Sequence, residues 1–127
     1  MALPMQTLLD TARIFLRTAR EEIEEGLDTN SWVKIRDGAE KAWNAVVQVT
    51  DHAMRSRGRT PLPGRDAHRD RLDFLDMIGR HDLAQQYSYL ADRLHGDLFY
   101  SGVGLPAALI RRLLDEASGF VDQAAAL

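Results

Sequence analysis

The sequence predicts an all-α protein, an up-and-down bundle of four long helices plus one short helix, in a single domain spanning residues 1–127. Three observations carry this. Apolar residues recur at alternating spacings of three and four in four long segments, no segment alternates with period two, and Gly- and Pro-rich breaks separate the periodic runs. At 127 residues the chain can bury roughly two-thirds of its unfolded surface in one core without staples.

The first helix is expected from about Pro4 to about Glu25, with Gly26 just past its end. Met5, Leu8, Leu9, Ala12, Phe15, Leu16, Ala19 and Ile23 share its inner face, and Ile14 stands alone among the polar residues opposite. Asp28, Thr29, Asn30 and Ser31 offer side chains able to cap the next helix, so the short connection predicts an antiparallel helical hairpin.

That second helix, Trp32 to Met54, is the most apolar. Ile35, Ala39, Ala42, Val46, Val49 and Ala53 form one seam, and Trp32, Trp43, Val47, Thr50 and Met54 form a stripe beside it. The apolar arc spans roughly 200°, twice that of an ordinary surface helix, which calls for two neighbours or for one neighbour and a second subunit. Gly38, Ala39 and Ala42 allow close backbone approach.

Periodicity then lapses through an arginine-rich loop expected to end near Asp66, a candidate N-cap. A short third helix carries Leu72, Phe74, Leu75 and Ile78 before Gly79. Asp82 and Gln85 have capping-box spacing and open a fourth helix with Leu83, Tyr87, Leu90, Ala91, Leu94 and Leu98 on one face. After Ser101–Gly104, Pro106 begins the last helix, whose inner side is Leu109, Leu113, Ala117, Phe120, Val121 and Ala124.

Several chemistries are argued against. With no cysteine there are no disulfides, thiolate metal sites or cysteine nucleophiles, and a cytoplasmic setting is expected. No signal peptide or membrane span is read. Of four histidines only His95, in Asp92-Arg93-Leu94-His95, has the carboxylate-to-histidine spacing of di-iron bundles, and a second such unit is missing, so no metal is expected. Gly102-Val103-Gly104 follows a helix and lacks the third glycine of a dinucleotide fingerprint, and no phosphate loop or nucleophile elbow occurs. No cofactor is expected.

Three groups of residues remain as candidates. Arg36, Glu40 and Trp43 lie at the edge of the second helix's apolar arc and His95 at the corresponding edge of the fourth, so the four could line a small polar pocket; the plain alternative is an ion pair supporting helix packing. The net charge is −3, yet residues 52–71 hold six arginines against two aspartates, a local +4 that leaves −7 elsewhere. Arg55, Arg57, Arg59 and Arg65 of this loop are candidate phosphate contacts, although no aromatic residue lies among them for stacking. Tyr89, Arg93 and Tyr100 emerge together opposite the buried face of a regular fourth helix, with Gly96 between them, and are the candidate surface of a homodimer.

The stretches KIRDGAEKAWNAVVQVTDHA and YLADRLHGDLFYSG resemble the HEPN-like bundles, most closely the archaeal paralogous-repeat (PaREP-type) family. Ala39, Ala42, Ala45 and Val46 match its second helix, and Ala91, Leu94, His95, Phe99 and Tyr100 its fourth. The resemblance implies a bundle of four long helices plus a short one, commonly dimeric, in a superfamily of toxin ribonucleases and partners of small nucleotidyltransferases. Its ribonucleases carry arginine followed by four to six residues and then histidine. The positions five to seven residues before His52, His68, His81 and His95 hold Ala45–Val47, Pro61–Pro63, Phe74–Asp76 and Ser88–Leu90, with no arginine. The expected function is therefore a non-catalytic helical binding or assembly module, a partner in a toxin–antitoxin-like or nucleotidyltransferase-associated system. The alternative is an RNA- or nucleotide-binding HEPN-type protein with degenerate or unrecognised ribonuclease activity.

Overall fold

The computed structural model describes residues 5–127, with side chains from residue 7 onward, and every regular element among them is helical. The helices are α1 (Met5–Thr29), α2 (Trp32–Ser56), α3 (Ala67–Met77), α4 (His81–Leu90) and α5 (Ala107–Ala125). A short 3₁₀ turn, Gly64–Asp66, leads into α3, and α4 continues without a break into a π-helical segment, Ala91–Tyr100. The expected start at Pro4 and the side chain of Met5 lie outside the described residues.

The α1–α2 hairpin is tighter than the glycine pattern predicts. Gly26 does not end α1; the helix runs on to Thr29, and Asn30 takes the left-handed conformation at φ 54°. Gly26 is needed for contact instead. A Cβ there would stand 2.8 Å from Ile35 Cγ1 and 2.9 Å from the Ser31 carbonyl oxygen. Of the four capping candidates Ser31 is used, its hydroxyl accepting from the Lys34 N–H at 3.4 Å. Further along, a Cβ on Gly38 would meet Ile23 Cγ1 at 2.6 Å and the Ala19 carbonyl oxygen at 2.9 Å, so the close approach expected at that glycine is present.

α2 is the hub, packing against α1, α3, α5 and the π segment. Its wide apolar arc is thus covered within one chain: Ile35, Ala39, Ala42, Trp43, Val46, Val49, Thr50, Ala53 and Met54 are buried, and Trp32 and Val47 are partly so. The need for a second subunit inferred from that arc does not arise. α5 contributes Leu113, Ala117, Phe120, Val121 and Ala124 as expected, and Ile110 and Leu114 besides.

Helix starts depart from expectation twice. Asp66 precedes α3 but makes no side-chain cap. Arg80 precedes α4, so Asp82 sits inside the first turn with its two carboxylate oxygens held by Arg80 at 3.0 Å each, and no capping box forms.

The π segment is the largest departure from a regular fourth helix. It closes with the Ser101 N–H bonded to the Gly96 carbonyl, five residues back, at 2.9 Å, and Gly102 at φ 63° turns the chain away. Residues five apart, not four, now stand one over the other. Leu90, Leu94 and Leu98 remain fully buried through the change.

Candidate functional site

α2 and the π segment together build an aromatic ledge. Glu40 projects from α2 to His95, whose Nδ1 lies 2.9 Å from one carboxylate oxygen and 3.1 Å from the other. Arg36, one turn earlier, does not pair with Glu40. Its Nε donates to the Phe99 carbonyl oxygen at 2.9 Å, and its guanidinium lies 5.5 Å from the Phe99 ring centre. Arg36 therefore captures a carbonyl near the end of the π segment. Trp43 lies beneath, 6.1 Å from the His95 ring and tilted 35° to it. Of the four residues predicted to line a pocket, Glu40, Trp43 and His95 come together, while Arg36 reaches Phe99 instead.

The π winding recruits two further rings. Phe99 stacks on His95 at 5.9 Å and 11°, and Tyr100 meets the His95 ring edge-on at 4.9 Å. Tyr100, five residues after His95, reaches it because bonding runs i to i+5. Tyr89 and Arg93 form a separate pair, guanidinium to ring 5.6 Å, with Arg93 also bonded to Asp97 at 3.1 Å. The three residues expected on one dimer patch thus divide between two clusters in their ring contacts, and Gly96 between them faces open space, with the Ala91 carbonyl 3.8 Å from a built Cβ.

His68, at the start of α3, completes the ledge and was not singled out by sequence. Its ring lies 6.3 Å from Trp43 and 5.1 Å from Tyr87, and Trp43 and Tyr87 meet edge-to-face at 5.0 Å. Desolvation against these rings holds the His68 imidazole below its ordinary pKa; Arg71 and His95 add to this, while Asp92 works against it. Tyr87 is fully buried, and that burial raises its phenol despite the nearby Arg71. Arg71 in turn is held by Asp51 at 2.8 and 3.3 Å and donates to the Tyr87 hydroxyl at 3.4 Å. Burial works against its charge, but Asp51 prevails and raises its pKa. No sequence period links Asp51, His68, Arg71 and Tyr87; only a capping-length helix that folds back over α2 could have pointed to them.

The arginine loop is partly structural. Arg59 pairs with Asp70, which is only 7 % exposed and also accepts from the Leu62 N–H at 3.0 Å. Burial pushes the Asp70 carboxyl up, but the Leu62 N–H and Arg59 outweigh it and its pKa is lowered. Arg59 is therefore committed to folding the loop and is withdrawn from the phosphate-contact set. Arg55 is half-buried with a buried, unbonded Nε, whereas Arg57 and Arg65 are exposed.

Chemically, the ledge offers a carboxylate-oriented imidazole, a second imidazole whose pKa desolvation lowers, and the exposed ring of Tyr100. Such a set can stack on a planar group and exchange hydrogen bonds with it. Among the described residues no group of three histidine, aspartate or glutamate side chains is arranged to hold a metal ion, and no helix is long and apolar enough to cross a membrane. No family model matches this chain, and no curated protein matches it.

Proposed function

We propose that the chain is a non-catalytic helical binding module whose ligand, RNA or a nucleotide-like molecule, sits on the ledge of Glu40, Trp43, His68, His95 and Tyr100. The observation that carries this is the carboxylate-held His95 flanked by Phe99 and by Tyr100, which is 70 % exposed and free to stack on a base. Arg65, three residues before His68, and Arg69, immediately after it, are both exposed and are the basic groups nearest the ledge in sequence. Phosphates would meet these arginines while a base meets the rings.

An HEPN-like arrangement of four long helices is part of this proposal, supported by the antiparallel α1–α2 hairpin and by the continuity of α4 with the π segment. So are a cytoplasmic setting, which fits the absence of cysteine, and a homodimer built on Tyr89 or Tyr100, both exposed aromatic side chains.

Electrophoretic retardation of mixed-sequence RNA at low salt tests the reading. Retardation is expected, weakened about tenfold by Tyr100→Ala, since stacking on one aromatic ring is worth about 1–3 kcal/mol per base. Replacing Arg57 and Arg65 with glutamine should flatten the salt dependence. Absence of retardation removes the ligand assignment, and metal-independent cleavage lost in His95→Ala would overturn the non-catalytic part.

A further inference from the structure

His68 is held to the ledge by its ring alone. Its imidazole makes no hydrogen bond or ion pair among the described residues, and its ring contacts are with Trp43 at 6.3 Å and Tyr87 at 5.1 Å. His68 is itself exposed, whereas Trp43 beneath it is only 7 % exposed and Tyr87 is fully buried. A side chain so placed covers two larger rings yet can leave them by a rotamer change, with no hydrogen bond to break.

The surroundings oppose a positive charge at this place. His68 is the second residue of α3, inside the first turn, where the free backbone N–H groups disfavour a cation. α3 also brings Arg71, held by Asp51 of α2, and the π segment brings His95, held by Glu40 of α2. α4 supplies the buried phenol of Tyr87, and Asp66 and Arg69, close to His68 in sequence, are both exposed. Asp92 of the π segment favours protonation. Desolvation against the rings, with Arg71 and His95, outweighs Asp92 and holds the imidazole below its ordinary pKa.

We propose that His68 is a pH-operated cover on Trp43, lying across that ring while neutral and swinging out to solvent when protonated. A charge that is costly between the rings is less so in water, so protonation and departure are linked. The closed arrangement loses population by the same factor by which the proton prefers the open one. Opening bares the face of Trp43 at the floor of the ledge for stacking on a planar group. That use rests on the ledge being the ligand's place, whereas the motion itself needs no ligand.

Acrylamide quenching of Trp43 emission reads the cover directly, in the full chain carrying Trp32→Phe so that one tryptophan remains. The quenching constant should rise at least about twofold between about pH 7.5 and about pH 5, following the His68 imidazole resonance, with helical circular dichroism unchanged. In the unsubstituted chain the Trp43 indole N–H resonance should shift with the same midpoint. His68→Phe, whose ring takes up no proton, should leave Trp43 shielded at both pH values, and His68→Ala should leave it accessible at both. A quenching constant that stays put while His68 titrates overturns the proposal. So does an equal rise in His68→Phe, which would lay the change on another group, or a His68→Ala chain as shielded as its parent at neutral pH. Loss of helix on acidification would make the exposure an unfolding and overturn it as well. Since no RNA is present, the two readings fail separately: missing RNA retardation strikes the ledge as a binding site, and an unmoving quenching constant strikes the cover.

Discussion

Asp70 shows how one buried charge can organise a loop that has no periodicity of its own. It gathers the Arg59 guanidinium and the Leu62 N–H and thereby ties the proline-rich connection to α3. Asp70→Ala leaves both donors without their acceptor and should cost about 2–3 kcal/mol in chemical denaturation at pH 7. Because the folded carboxyl titrates below its unfolded value of about 3.9, its contribution is complete above about pH 4 and is lost as pH falls through the folded value. The stability gap between the native chain and Asp70→Asn should accordingly narrow on acidification, and a gap constant down to pH 2 would contradict the pairing. His68 makes a related prediction. Its folded pKa is depressed, so the stability it contributes is present above about pH 6.5 and is lost as pH falls through the folded value. Imidazole resonances followed by NMR should show His68 titrating below the ordinary histidine value, and titration at or above that value would contradict its placement between Trp43 and Tyr87.

Among the elements, the α1–α2 hairpin and the π segment behave oppositely with respect to glycine. In an isolated helix, replacing Gly38 by alanine would stabilise by about 1 kcal/mol. Here the new methyl would meet the Ala19 carbonyl at 2.9 Å, and that oxygen belongs to the backbone and cannot swing away. Gly38→Ala should therefore destabilise by about 1–3 kcal/mol, with thermal unfolding as the measure; a raised melting temperature would show that the helices are further apart than described. Gly96, by contrast, has only the Ala91 carbonyl at 3.8 Å in its surroundings, so steric exclusion does not explain it. The π winding around it has its visible consequence in Tyr100, which is rotated onto His95 and parted from the Tyr89–Arg93 pair.

For the whole molecule, the central position of α2 means that the ledge and the core share a residue. Trp43 packs Tyr87 on its inner side and lies under His68 and His95 at the surface. Trp43→Ala should cost about 3–5 kcal/mol and abolish any ligand affinity of the ledge together with stability, whereas Tyr100→Ala should spare stability. The homodimer proposed on the exposed tyrosines has its own measurement, because the two rings now belong to different clusters. Sedimentation of Tyr89→Glu and Tyr100→Glu separately should show one variant monomeric and the other still paired, while a native chain that is monomeric at micromolar concentration ends that proposal.

Helix identity and the buried faces were readable in the sequence because they depend on a local period. Trp32 to Met54, the inner face of α5 and the leucines of the fourth segment declare themselves by spacing alone, and setting two helix edges side by side suggested that Glu40, Trp43 and His95 share one place, where the structure adds the Glu40–His95 bond. What spacing could not supply was anything set by a contact distant in sequence. The role of Gly26 was decided by Ile35 across the hairpin, and the fate of Arg59 by Asp70. His68 joined the ledge only because α3 folds over Trp43, and a change of winding carried Tyr100 to His95. A 3.6-residue period assumes regular α-helix, and the same ten residues wound with i to i+5 bonds direct their polar side chains elsewhere while keeping Leu94 and Leu98 in the core. Hydrophobic burial fixes the inner face under either winding; the outer face, where the candidate site lies, is set by tertiary contacts.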